Sequence, residues 1–442
     1  MGYIVGEARH QQTLFPVALE DLVPADHFCR VIDAFVGGLD FRRLGFERAE
    51  AAATGRPGYD PRDLLKLYLY GYLQQVRSSR RLEAECQRNV EVMWLLGRLV
   101  PDHKSIAEFR RLHREAVTEA GAELVRIARS VGLVRGEWVA IDGSKFQAVS
   151  SARSVAERES VKRYLDAVES ADAQEEAVID SSAVSAALEK LRSHAEPEAG
   201  FMRMARGHAP AYNVQTAVDA EHALIVVHEV TTEKNDSQCL LPMAEAAQKA
   251  LGDPPLLNVV ADGGYANGAQ AEACEARGIV PHVPVKRSVN NKGDGRLLDR
   301  SQFHYDAASD MLCCPAGQTL TRKQLRKDKH YVVYTAPVEA CGTCALKSRC
   351  TPSAQRYVCI HLHDAALERM KQRATPEVMR LRRCTVEHPF ATLKYRIFGH
   401  PRLLLRGVAG AAIEIGLGIM AYNLKRMINL VGGAKLVPAL QN

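Results

Sequence analysis

Apolar and polar positions divide the chain into blocks of different periodicity. Up to about residue 130 apolar residues recur at helical spacing. Pro61 can open a helix through Leu64, Leu65, Leu67, Tyr68 and Tyr72, and Ser79 can cap the next. Ser105-Ile106-Ala107-Glu108 has the form of a capping box ahead of a long amphipathic helix, Phe109 to Val131. After Gly136 the texture changes. Glu137 to Val149 reads as a strand, and residues 151–206 revert to helix as Ser154 to Ser170 and Ala183 to Ala195. Tyr212 to Val218, a turn at Asp219-Ala220-Glu221-His222, and Ala223 to Val230 read as a strand pair. A helix from about Ser237 to Ala250, the continuous apolar strand Leu257 to Ala261, a helix from Asn267 to Arg277 and a strand from Ile279 to Val285 follow. Residues 287–364 are polar and rich in turns. Helix returns over Pro376 to Tyr395 and Val408 to Leu430.

This order predicts an α/β fold: a ribonuclease-H-like catalytic domain over 136–286 and 365–430, with a helical insert at 151–206 after the first strand. Residues 1–130 form a helical domain suited to DNA docking, and 287–364 form a Cys-rich insert. The Val408 to Leu424 run holds Glu414 and is too short and interrupted to span a bilayer, so it predicts a buried helix and no membrane partner. The amino end lacks the basic and apolar regions of a signal peptide.

The net charge of +6 says little alone. Its distribution says more, because residues 365–406 hold ten Lys and Arg against three Glu. Basic residues also punctuate the first domain at Arg77, Arg80, Arg81 and Arg110, which makes double-stranded DNA the expected partner.

Two phrases carry the candidate chemistry. Val139-Ala140-Ile141-Asp142-Gly143 and Val259-Val260-Ala261-Asp262-Gly263-Gly264 each end an apolar strand on Asp-Gly. Ligands of α/β sheets gather beyond the carboxyl ends of strands. Carboxylates so placed suit Mg²⁺ or Mn²⁺, which clamp the attacking and leaving oxygens of a phosphoryl transfer. A third carboxylate is needed, and Glu387 in the basic helical segment is the candidate. A lone Asp-Gly is also a common turn signal, so the weight lies on the pair.

The chain resembles bacterial insertion-sequence transposases of the DDE class, in the eleven-eighty-two group of the four/five superfamily. The likeness rests on Ile141-Asp142-Gly143-Ser144-Lys145, Tyr212 to Asp219, Asn235-Asp236, Ala261-Asp262-Gly263-Gly264-Tyr265 and Val386-Glu387-His388-Pro389-Phe390. Pro101 to Arg110 adds to it in the first domain. The superfamily marks its third acid with Tyr, Arg, Glu and Lys at fixed spacing. Arg383, Glu387 and Lys394 fit that spacing, while Arg380 stands where the tyrosine would be. The resemblance implies Asp142, Asp262 and Glu387 as the catalytic triad, with Arg383 and Lys394 on DNA phosphates near the cut. It also implies cleavage at inverted-repeat ends followed by strand transfer, by a protein expected to be a homodimer on DNA.

The second candidate site is Cys341-Gly342-Thr343-Cys344 with Cys350 five residues on and Cys314 upstream, a set suited to one structural zinc; Cys313 could replace Cys314. The eleven cysteines, odd in number and partly in metal spacing, fit a reducing cytoplasm. No Walker A motif and no nucleophile elbow is present, so neither a nucleotide cofactor nor a serine hydrolase is expected. The competing readings are a catalytically inactive transposase-derived DNA-binding protein and a metal-dependent nuclease that cuts without joining.

Overall fold

The computed structural model describes residues 18–50, 57–172, 181–192, 196–204, 207–285, 297–306, 308–327 and 330–441. Its centre is a mixed sheet. Strand β1 (Trp138–Gln147) runs antiparallel to β3 (His208–Asp219). On the far edge of β3 lie β2 (Gly200–Arg203) and β4 (Ile225–Thr231), both antiparallel. On the other side of β1 lie β5 (Leu257–Val260) and β6 (Ile279–His282), both parallel to it. This is the ribonuclease-H-like arrangement that the element order predicts. Strand β2 is an addition, because it falls within residues read as helical.

Helix starts follow local chemistry. Asp60 accepts from Arg62 N ahead of Pro61–Leu73, with Pro61 in the first turn, where a missing amide costs nothing. Two expected caps move. Ser78 rather than Ser79 stands at the cap position of Ser79–Arg88. Asp102, which accepts from Lys104 N and Ser105 N, starts a helix at His103–Leu112. The long helix expected from Phe109 is therefore two, since Arg114–Ser130 begins after a break at His113. The buried His113 ring sits at the break, where it packs on Phe46 and Phe109 and reaches the carbonyls of Phe109 and Glu47.

One hydrophobic core runs from Val23 to Leu440 and includes both the first helices and the sheet. The helix Gly407–Val431 is long and apolar enough to cross a membrane, but 72% of its apolar window is buried inside the protein. It packs on Pro61–Leu73, Arg114–Ser130 and β4. Its Asn423 side chain completes the edge of β4, accepting from Ile225 N at 2.9 Å and donating to Ile225 O at 2.8 Å. Such pairing satisfies backbone groups that would otherwise be buried without partners.

The helical insert holds Ala152–Asp172 and Ser181–Arg192. Buried Arg158 ties it down by donating to the carbonyls of Glu196, Pro197 and Ala199. The Cys-rich segment is more ordered than its polar composition suggests. It forms a five-stranded antiparallel sheet in the order β11-β10-β9-β8-β7, with β7 His304–Asp306, β8 Met311–Cys313, β9 Thr319–Arg326, β10 Tyr331–Thr335 and β11 Tyr357–His361. It has its own small core around Phe303, Leu320, Tyr334 and Val358.

Candidate active site

Asp142 and Asp262 meet because of strand register. Parallel pairing of β1 with β5 ends at Ala140 opposite Val260. Both aspartates lie two residues further on, Asp142 within β1 and Asp262 just past the end of β5. Asp142 is not at the end of β1, as expected from the sequence, because β1 continues to Gln147 against β3. It lies where the parallel pair divides. Asp262 leaves β5 and caps a short turn, its Oδ1 accepting from Gly264 N at 2.8 Å.

Gly143 is required by close approach, not by a turn. A Cβ there would lie 2.3 Å from Gln215 Nε2 and 2.7 Å from Asp236 Oδ1. These atoms belong to a polar network inside the sheet. Asp236 Oδ1 accepts from Asn213 Nδ2 and Gln215 Nε2, each at 2.7 Å, and lies 3.7 Å from Lys145 Nζ. Gln215 in turn accepts from Tyr265 OH. The network therefore joins β1, β3 and the Asp262 turn. Sequence reasoning assigned it no role, although Asn213 and Gln215 are polar interruptions of a buried apolar strand. Burial of such groups is costly unless they are satisfied.

The helix Pro376–Thr392 lies across the sheet and carries the remaining charge. Arg382 Nη2 lies 2.7 Å from Asp142 Oδ1 and 3.7 Å from Asp262 Oδ2, so one guanidinium bridges both carboxylates. Arg382, Val386, Pro389 and Leu393 form an inward stripe at helical spacing. The inward arginine is thus one residue before the Arg383 that the spacing pattern picks out. Arg380, Arg383 and Glu387 are exposed on the same helix, off the inward stripe that meets the aspartates. Pro389 lies within the helix, which is followed by a π-turn at Leu393–Ile397, a feature often found at functional sites. This turn carries Lys394 over the Phe146 ring, 5.7 Å from its centroid.

The charges perturb one another. Burial pushes the Asp142 carboxyl up to about 6; Arg382 opposes this, and the Asp262 and Asp236 charges add to it. Burial lowers Lys394, with the Asp142 carboxylate opposing, and it lowers Lys145 against the pull of Asp236.

The other candidates divide. Arg80 and Arg81 are exposed. Arg77 and Arg110 are not available as expected, because both are held inside the protein. Arg77 Nη1 lies 3.2 Å from Glu414 Oε2, and Glu414 is fully buried. Arg110 is 5% exposed, lies over the Tyr68 ring and donates to Arg77 O. They join the first helices to the core. Cys314, Cys341, Cys344 and Cys350 line one cavity of about 20 Å³, while Cys313 is exposed on β8. Burial raises the Cys350 thiol, and the other three cysteines are near enough to raise it further. Gln318 N donates to Cys314 Sγ at 3.3 Å. Among the described residues no three His, Cys, Asp or Glu side chains stand as a ready metal-ligand group.

Two family models match the chain. The model of the transposase domain DUF772 covers residues 17–112. That of the transposase DDE domain covers residues 173–424, more than half of the chain. The chain belongs to the DDE transposase family. As a transposase it cleaves DNA and transfers strands, and family membership implies catalysis with divalent metal. No curated protein matches it. Among solved structures, a piggyBac transposase synaptic complex with hairpin DNA aligns over 93% of this chain and 78% of that one, at 10% identity and a TM-score of 0.34. The transposase reading accommodates both the paired aspartates and the basic helix above them.

Proposed function

We propose that Asp142 and Asp262 hold the catalytic cation, Mg²⁺ or Mn²⁺, with Glu387 as the third carboxylate. The observation that carries this is that both aspartates already converge on one positive group, the Arg382 guanidinium. Hard carboxylate oxygens suit these ions. When bound, the cation activates water for attack on the phosphodiester and neutralises charge on the leaving oxygen. Glu387 comes to this role from the family spacing and from its place on the helix that carries Arg382.

Lys394, Arg383 and Arg380 position the DNA backbone beside the aspartates. Lys394 is close enough to feel Asp142, and the two arginines are exposed on the helix above it. Arg80 and Arg81 contribute to binding of the inverted-repeat ends. Phosphate contacts of this kind set affinity and register. The transposase works as a homodimer on DNA, in a reducing cytoplasm that suits its eleven cysteines.

The Cys-rich domain holds one structural Zn²⁺ through Cys314, Cys341, Cys344 and Cys350. The fit rests on four thiols around one small cavity, with a backbone amide donating to Cys314. Four thiolates leave no open position, so this metal stabilises the fold and takes no part in chemistry.

The test is a cleavage and strand-transfer assay on duplexes carrying the element's ends, with and without divalent metal. Metal-dependent cutting and joining by the native protein, lost in Asp142→Asn, Asp262→Asn and Glu387→Gln, is expected. Cutting without joining would leave a nuclease. Activity retained in Asp142→Asn would overturn the assignment of the aspartates.

A further inference from the structure

We propose that Arg382 is an intramolecular competitor of the catalytic cation: its guanidinium fills the place between Asp142 and Asp262 and must leave before the cation binds. The inference rests on the assignment of that pair as cation ligands. Arg382 is 15% exposed, whereas Arg380 and Arg383 on the same helix face solvent. It contacts both carboxylates, at 2.7 and 3.7 Å. Of the other half-buried cations nearby, Lys145 is directed to Asp236 and Lys394 lies over the Phe146 ring, and neither forms an ion pair with these two aspartates. The positive charge between the two aspartates therefore comes from Arg382.

Two carboxylates this close repel when both are ionised, unless a cation lies between them. A guanidinium answers the need in the absence of metal, because it is weakly hydrated and matches carboxylate oxygens. It cannot share those oxygens with a divalent ion, since like charges at such short range repel strongly. Its hold is also incomplete: Arg382 Nε is buried without a hydrogen-bond partner. A DNA phosphate offers the released fork a bidentate acceptor. The basic surface around Arg380 and Arg383 would bring such a phosphate to the same helix.

The test reads metal binding, not activity. Mn²⁺ is titrated into the full chain without DNA, with free Mn²⁺ followed by electron paramagnetic resonance. Arg382→Gln is expected to bind Mn²⁺ about tenfold more tightly than the native protein, a coupling of ordinary size between linked sites. Arg382→Lys, which keeps the charge, is expected to stay near the native affinity. In the native protein, phenylglyoxal followed by peptide mass spectrometry should find Arg382 protected and the adjacent Arg383 reactive. Saturating Mn²⁺ should make Arg382 reactive too. If Arg382→Gln does not fold, the modification experiment decides alone. Continued protection of Arg382 at saturating Mn²⁺, or a folded Arg382→Gln that binds no more tightly, would overturn the competition. Undiminished Mn²⁺ binding by Asp142→Asn would instead remove the assignment of the aspartates on which it rests.

Discussion

Asp142 and Asp262 each lie two residues beyond Ala140 and Val260, the last paired step of two neighbouring parallel strands. Adjacent strands are about 4.8 Å apart, so equal register brings two carboxylates 120 residues apart in sequence to one place. Asp142→Asn or Asp262→Asn should lower cleavage by roughly 10³-fold or more, the equivalent of several kcal/mol of lost transition-state stabilisation. Binding to end-bearing duplexes, measured by fluorescence anisotropy, should be retained.

The raised Asp142 carboxyl predicts a pH dependence. Its value lies near 6 in the folded protein, above the ordinary carboxylate range. A raised carboxyl favours folding while protonated, so its contribution is most favourable at pH 4 and below and is lost as pH rises through about 6. Protons should compete with the cation in the same window. Mn²⁺ affinity should weaken progressively below pH 6, and calorimetric titrations between pH 5 and 8 should show the change. A flat profile would contradict burial of this carboxyl.

Two glycines give opposite expectations. Gly143→Ala would drive a methyl into Gln215 and Asp236, and overpacking of this kind costs about 1–3 kcal/mol. Gly121, inside the helix Arg114–Ser130, has nothing within 4 Å of an added Cβ. Gly121→Ala should stabilise by about 0.5–1 kcal/mol. Urea denaturation of the two variants tests both signs.

The arginines of the first helices should separate by role. Arg77→Ala removes the ion-pair partner of buried Glu414 and leaves it only the charge of Arg110, and removing one partner of such a pair costs about 3–5 kcal/mol. Its main effect should be on thermal stability. Arg80→Ala and Arg81→Ala should leave stability unchanged and weaken DNA binding. Each should reduce the salt dependence by about one unit of slope.

For the cysteine cluster, elemental analysis of protein purified without chelator should find about one zinc per chain. Removing it, or introducing Cys341→Ser, should lower the melting temperature of the Cys-rich domain. Exposed Cys313→Ser should do neither. Zinc-free protein of unchanged stability would rule out the metal.

The sequence by itself determined the strands of the central sheet other than β2, most helix ends, the two Asp-Gly pairs and the spacing of the four cysteines. These are local properties: strand and helix periodicities differ, caps act over three residues, and a strand end needs a turn. The edge of the Cys-rich sheet was not legible, because β7 and β9 carry mostly exposed residues, whereas Tyr331–Thr335 and Tyr357–His361 do show the alternation of half-buried strands. Which arginine faces the aspartates was decided by tertiary structure, since one residue along a helix turns a side chain by about 100°. The fate of Arg77 was decided there too, because its partner Glu414 lies 337 residues away. A charge on a helix reads as solvated until a distant buried acid claims it. The need for Gly143 likewise became visible only when β3 and Asp236 packed against it. Periodicity marks which face of an element is apolar, whereas packing alone settles what that face meets.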